Sequence, residues 1–450
     1  MVYGINEKKK QMKNSKPSIL LVTSVDPTFS SGVLAMDYYD AFRKRGFSIN
    51  ILTKYPVKGN NDILSVYESE RLTISSFLRK AFRRLRQMLF KDVYPSGNSG
   101  GMGFFYKKET TPPVPVNKII KAINKKYDFI LILFWQEMLS YCTVEAIYDK
   151  LRVPVFFISV DYSPITGGCH FFGDCEKYKT GCGCCPAWNS NNPTDFTHFN
   201  VLYRQRVLDK VDPVILTNTY MNSFVKESFL FKDRKRALIF PIIDENKFCI
   251  RDKREIRRRL GIPDEKFVLY FACQSLSDPR KGISYLLEAF RLLESKLNHE
   301  EREALFVIMA GKNGEQIILE IPFSCKSMGF VSSQELPFIA SAADLYLSPS
   351  IHDAGPMMIN QSLSCGVPVV AFEMGVALDV LKNQGTGYCA KMKDASDFAN
   401  GIESIFRMDK DIYQQMSKRC REVALQTTSC NVSVETIINI YNNYQSADRS

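Results

Sequence analysis

The chain has 450 residues and a mass of 51.4 kDa, with 59 Lys and Arg against 48 Asp and Glu for a net charge of +11. At 45% hydrophobic and 24% charged residues, the composition excludes global disorder and suits two globular domains. The longest apolar runs, such as Phe129 to Trp135, are too short to span a bilayer, and the basic start MVYGINEKKKQMKNSKP lacks the apolar core of a secretory signal. A cytoplasmic enzyme is expected.

After a basic tail over residues 1–16, Ser18 to Val22 reads as a buried strand. The loop SVDPTFSSGV, with Gly32 at its turn, leads into a helix from about Leu34 to Lys44, and Phe47 to Thr53 is the next strand. Gly32 suits a simple turn or a phosphate-facing loop. Residues 60–117 interrupt this β-α-β alternation. Within them, RLTISSFLRKAFRRLRQMLFK (Arg71 to Lys91) puts apolar residues on one helical side and six cations on the rest. It reads as a docked insertion helix with a solvated face, or as a surface for anionic lipid. Nothing accompanying it suggests nucleic acid.

Phe129 to Phe134 and Val153 to Val160 are unbroken apolar strands, the pattern of a parallel sheet covered on both faces. A helix is expected over Leu202 to Lys210, with strands at Val214 to Thr217 and Ala237 to Pro241. The second half repeats the alternation: strand Phe267 to Ala272, loop SLSDPRKG, helix Ile283 to Leu293, strand Ala304 to Ala310, loop GKNG. The run ADLYLSPSIHDAGPMMINQSLSCGVPVVAFEMG (Ala343 to Gly375) is strand, polar loop, helix, strand, the unit whose ligands lie beyond the strands' carboxyl ends. We expect an α/β protein of two facing doubly wound domains: 17–210 as a first, acceptor domain (with the basic insertion 60–117 and a Cys-rich loop 167–188), 211–425 as a second, donor domain, and 426–450 as a C-terminal helix and tail.

Three constellations bear chemistry. Asp353 in the loop and Gln361 in the following helix can bond sugar or ribose hydroxyls, while the backbone from Gly355 through Pro356, Met357 and Met358 opens a helix whose free N–H groups suit phosphate. Asp353 can equally cap the turn. Arg280 and Lys281, before Gly282, place two cations at the unfavourable pole of a helix, which favours an anionic ligand there; Gly311 sits in the next equivalent loop. Neither a Walker A sequence nor a dinucleotide turn is present. Asp161 ends a strand and faces the cleft or caps a turn. Cys169, Cys175, Cys182 and Cys185 fall within 17 residues of TGGCHFFGDCEKYKTGCGCCPAW, with Cys184 inside the closing pair and His170 beside the first. A structural zinc, a disulfide, an iron–sulfur cluster or four free thiols remain open.

DAGPMMINQSLSCGVPVVAF resembles the signature of the group-one retaining glycosyltransferases of the GT-B fold: glutamate, seven residues, glutamate, then a turn and Pro-Val-Val. Asp353 stands for the first glutamate and Gln361 for the second. Lys281 matches the family lysine that binds the donor diphosphate; Leu276 occupies the place of the family arginine. Ser31-Gly32-Val33 matches the glycine-rich turn, and FFISVDYSPITGGC resembles a bacterial capsule and exopolysaccharide branch, with Val160 in a histidine's place and Asp161 retained. The Cys-rich run is similar to that branch too. The resemblance implies a metal-independent, retaining transferase with a nucleoside-diphosphate sugar as donor and no catalytic cofactor. It implies roles for Lys281, Asp353 and Asp161 in the reaction, a lipid-linked or oligosaccharide acceptor, and a C-terminal helix packed back on the first domain; peripheral contact with an anionic membrane face rests on the basic run Arg71 to Lys91.

Overall fold

The computed structural model describes residues 16–57, 59–67, 102–104, 106–135, 137–314 and 316–447. The basic helix expected over Arg71 to Lys91 lies outside them. Among the described residues the strands are β1 (Ser18–Thr23), β2 (Ser48–Thr53), β3 (Ile63–Ser65), β4 (Phe129–Phe134), β5 (Val155–Ile158), β6 (Val214–Thr217) and β7 (Arg236–Leu238) in one sheet. A second sheet holds β8 (Phe267–Ser275), β9 (Leu305–Lys312), β10 (Ser324–Ser327), β11 (Leu345–Ser348), β12 (Val369–Phe372) and β13 (Gly387–Ala390).

Both sheets are parallel and ordered alike: β3-β2-β1-β4-β5-β6-β7 and β10-β9-β8-β11-β12-β13. Each central strand is buried on both faces, as in β4, where all six residues of FILILF are inaccessible. That is why these strands lack alternation. The order reverses between β1 and β4 and between β8 and β11, so each domain has its ligand crevice beyond those strand ends.

The expected boundary at residue 211 falls too early. β6 and β7 pair with β5 and with each other in the first sheet, so the first domain runs to at least Leu238. The reason is continuity: VILT is one more unbroken apolar strand that extends an existing parallel edge.

The expected return of the C-terminal helix is present. After the helix Lys410–Thr427 the chain passes an isolated bridge between Ile243 and Ser429, and Cys430–Ala447 crosses onto the first domain. There Val434 and Ile437 join a core cluster with Leu34, Tyr38 and Phe42, and the Tyr441 ring lies 4.7 Å from that of Phe129. Arg45 clamps the helix, donating to Glu435 at 2.5 Å and to the Asn431 carbonyl at 2.9 Å. No helix among the described residues is long and apolar enough to cross a membrane. Truncating the strap inside that cluster, Ile437→Ala, should cost about 3 kcal/mol, read as a lower midpoint in urea unfolding; an unchanged midpoint would mean the helix does not dock in solution.

Candidate active site

The loops after β8 and β11 flank the crevice of the second sheet. Pro279–Lys281 forms a single tight turn capped by Asp278, whose carboxylate accepts from the Arg280 N–H. Gly282 follows at φ 67°, and a Cβ there would come within 1.9 Å of the Pro349 carbonyl oxygen. Only glycine permits that approach. The two loops are then stitched together by Ile351 N–H donating to the Arg280 carbonyl at 2.8 Å.

Their meeting brings Lys281 Nζ within 2.5 Å of Asp353 Oδ2, both side chains largely buried. Asp353 Oδ1 also accepts from the Gly355 N–H at 3.1 Å. Burial opposes ionisation of Asp353, but the Lys281 charge and these bonds override it and hold the carboxyl below its usual range. Burial likewise opposes the Lys281 charge, and Asp353 more than restores it, raising the amine. Arg280 is spent differently: it pairs with Asp278 at 2.6 Å and lies 3.7 Å over the Phe171 ring of the first domain.

Pro356 leads the helix Met357–Ser364. A Cβ at Gly355 would meet Asn218 Nδ2 at 2.8 Å and push on the side chain that bonds the Ala354 carbonyl. Met357 packs between cores of both domains, and Met358 against the second. Gln361 Oε1 is buried with no partner among the described residues, an acceptor that suits a ligand hydroxyl. Gly311 stands one residue before the end of β9 at φ 154°; a Cβ there would strike the Cys273 carbonyl at 2.6 Å and Leu276 Cγ at 3.0 Å. Leu276, at the place of the expected arginine, is thus a buried packing residue against Gly311 and Gly314.

The first domain reaches this site through residues that sequence reasoning passed over. Tyr162 donates to the Asp353 carbonyl at 3.0 Å, and Asn218 Nδ2 to the Ala354 carbonyl at 2.7 Å. His352 stacks at 5.1 Å on Tyr162 and near Phe171 and Phe172; burial, then the Arg280 charge, lowers its pKa and favours a neutral imidazole. The only signal for these contacts was adjacency, Tyr162 to Asp161 and His352 to Asp353. Asp161 itself is buried and turned toward its own loop, where it meets His170 Nδ1 at 2.8 Å and accepts from the Ser163 N–H at 2.8 Å. Burial pushes its pKa up, but the His170 charge and these bonds prevail and keep it low. Gly32 caps the helix Val33–Lys44, its missing side chain leaving room for the Asp26 carbonyl, which a Cβ would approach to 1.8 Å.

Beneath Asp161, Arg204 is 1% exposed and holds the same loop. It pairs with Glu109 at 2.6 Å and donates to the Ser163 and Thr166 carbonyls. All thirteen cysteines are free thiols. Cys169, Cys175, Cys182 and Cys185 line one cavity, and burial pushes Cys182 up to about 12 and Cys185 up to about 11.

Two parallel-sheet α/β domains with facing crevices and a crossing C-terminal helix define the GT-B fold. Sucrose-phosphate synthase from Thermosynechococcus elongatus superposes with a TM-score of 0.62 at 15% identity, covering 96% of this chain and all of that one. HepE of Anabaena in complex with UDP and glucose gives 0.60 at 16% identity, over 95% of this chain and all of that one. Residues 252–423 match the family model for Glycosyl transferases group 1. D-inositol 3-phosphate glycosyltransferase of Stackebrandtia nassauensis is 25% identical over 48% of this chain and 50% of its own. Alpha-D-kanosaminyltransferase of Streptomyces kanamyceticus is 22% identical over 51% of this chain and 59% of its own. The chain spans about half the length of the curated relatives it matches.

The ion pair makes a prediction of definite sign. The lowered Asp353 carboxyl contributes stability above its unfolded pKa that is lost as pH falls through its folded one. The raised Lys281 amine contributes stability below its unfolded pKa that is lost as pH rises through its folded one. Lys281→Met should therefore destabilise by about 2 kcal/mol on a plateau between about pH 5 and pH 9, the gap to wild type narrowing at both ends. A gap independent of pH in thermal unfolding would mean the pair does not form.

Proposed function

We propose that the protein is a retaining glycosyltransferase that moves a sugar from a nucleoside-diphosphate sugar to a hydroxyl of a glycan. The observation that carries this reading is Lys281 held by Asp353 in the crevice between β8 and β11, beside the start of the helix Met357–Ser364. The match of residues 252–423 supports it, as does the UDP and glucose bound by HepE.

In this reading the diphosphate lies between Lys281 and the first N–H groups of that helix. The Lys281 ammonium stabilises the negative charge that builds as the anomeric carbon–oxygen bond breaks. The electron pair leaves with the diphosphate, the acceptor oxygen bonds the anomeric carbon from the same face, and its proton passes to a phosphate oxygen. Asp353, released from Lys281, accepts from sugar hydroxyls; Gln361 Oε1 accepts from ribose or sugar. Lys281 and the helix start supply the countercharge, so the reaction needs no divalent ion. Asp161 acts as a positioning carboxylate for the strand end from which Tyr162 reaches the site, and Gly32 and Gly311 shape the two walls. The acceptor is an oligosaccharide or lipid-linked glycan of bacterial surface polysaccharide. Its membrane-proximal placement on the cytoplasmic face rests on the basic sequence of Arg71 to Lys91.

A second reading is favoured by one observation: Arg280 and Lys281 are each neutralised by a carboxylate, and Leu276 is apolar. A GT-B protein so altered would bind donor without turning it over.

A panel of UDP- and GDP-sugars, screened by thermal shift and then by hydrolysis and transfer, separates the two. We expect one donor to stabilise the protein and to be consumed with retained anomeric configuration. Lys281→Ala should then lower kcat/KM by about 100-fold or more, and Gln361→Ala should raise donor KM by about tenfold. Stabilisation without turnover selects the second reading, and transfer by Lys281→Ala at the wild-type rate removes the first.

A further inference from the structure

The segment between β5 and the helix Phe196–Val211 is a long irregular stretch whose described regular elements are three single turns, Ser163–Ile165, Lys177–Lys179 and Pro186–Trp188. Loops of this length without secondary structure of their own are uncommon unless something fixes them. Gly181, Cys182, Gly183 and Cys184 are consecutive left-handed residues, at φ 97°, 58°, 89° and 45°. Cysteine in that region costs on the order of 1 kcal/mol per residue and persists only where its surroundings demand it.

The backbone here is held from outside. Cys182 N–H donates to the Lys177 carbonyl at 2.8 Å, Gly183 N–H to Thr197 Oγ1 at 3.1 Å, Cys184 N–H to the Asn192 carbonyl at 2.8 Å and Cys185 N–H to Asp195 Oδ2 at 2.9 Å. A Cβ on Gly183 would fall 2.0 Å from the Pro193 carbonyl oxygen. This framework aims Cys182 and Cys185 inward, where they meet Cys169 and Cys175 around a cavity of about 20 Å³. That is room for a single atom. Cys184 is turned away, its sulfur 3.5 Å from the Asn191 carbonyl.

We infer that Cys169, Cys175, Cys182 and Cys185 form a tetrathiolate site for one zinc ion, with Cys184 excluded. On binding, each thiol loses its proton to solvent as its sulfur takes the ion; no electron is transferred. The resulting negative charge is faced by Lys177 in the cavity wall. Four soft sulfurs around a one-atom space select zinc over the hard cations. No three of the four sulfurs lie within 4.8 Å of one another, so the ion must draw them together as it binds. Among the described residues, the trio whose ligand atoms crowd within 4.8 Å is Asp244, Glu245 and Cys430. That trio carries no second sign of a ligand, since Glu245 is already engaged with the Cys430 N–H at 2.9 Å.

The site would act as a rivet behind the cleft. Tyr178 stacks on Phe172 at 4.6 Å, Phe172 meets Tyr162 at 4.6 Å, and Phe171 underlies Arg280 of the second domain. An ion tying Cys175 and Cys182 to Cys169 therefore fixes the aromatic wall that the donor loop rests on.

The test is elemental analysis of the full chain purified under reducing conditions without chelator, with intact mass and thiol alkylation on the same sample. We expect about one zinc per chain, four thiols protected from alkylation until a strong chelator is added, and zinc content unchanged in Cys184→Ser. Cys169→Ser and Cys182→Ser should each lose the metal. Where such a variant fails to fold, reconstitution of the wild-type chain with cobalt(II) reads the same point through the thiolate charge-transfer spectrum. A metal-free wild type with reactive thiols, a mass two protons light per disulfide, iron in place of zinc, or zinc loss in Cys184→Ser equal to that in Cys182→Ser would each overturn the assignment.

Discussion

The ion pair between Lys281 and Asp353 is the constraint from which the rest of the site follows. Two charges withdrawn from water are tolerable only while they face one another, because removing either leaves the other uncompensated. The loops after β8 and β11 must therefore stay in register, and the local chemistry enforces it. Gly282 lets the Pro349 carbonyl press against its α-carbon, and the Arg280 carbonyl receives Ile351. On the proposed reading, an anionic ligand entering the crevice takes Lys281 as its partner, and Asp353 must then be met by neutral hydroxyls.

The same short run, Asp353 to Gly355, is also where the first domain takes hold. Tyr162 and Asn218 do not bond side chains there; they bond the backbone carbonyls of Asp353 and Ala354. Substitution at position 353 would leave those bonds in place, so domain contact and ligand chemistry are separable in this loop. On the far side the helix Cys430–Ala447 straps the second domain to the first through Val434, Ile437 and Arg45. The chain crosses between domains at two adjacent strands of backbone, near Ile243 and Ser429. Besides that crossing, the domains meet at the cleft through Tyr162, Asn218, Phe171 and His352.

What was legible in the sequence tracks what local physics determines. Central strands announced themselves through unbroken apolar runs, and FILILF or VVAF admit little else. Edge strands did not: β10 is SCKS, partly exposed, and β3 is three residues long, so neither carries a periodicity to read. The helix Lys253–Leu260, KREIRRRL, is almost wholly polar because its anchoring is ionic. Arg257 and Lys253 both reach Asp344, a partner about ninety positions away that no local pattern reveals. Lys281 and Asp353 were legible as charged residues in loops after strands, and Gln361 as an amide in the following helix. Their mutual distances were not, nor was the turning of Asp161 toward His170, since both depend on how separate loops meet.

Leu276 shows how a departure from the pattern this sequence resembles is absorbed by packing. Gly311 and Gly314 leave a hollow at the carboxyl end of β9, and the Leu276 side chain fills it from the neighbouring loop. A cation there would be placed in an apolar pocket and would have to reach past both glycines to find a partner, at the desolvation cost of any buried charge. With a leucine in that pocket, the positive charge at this crevice comes from Lys281 and from Arg280, and the latter already spans to Asp278 and to the Phe171 face. The consequence is a crevice in which one ammonium and the N–H groups of one helix face the ligand's charge. On the proposed reading, discrimination among ligands falls to the neutral hydrogen-bonding groups around it, Gln361 Oε1 foremost as a buried acceptor without a partner among the described residues.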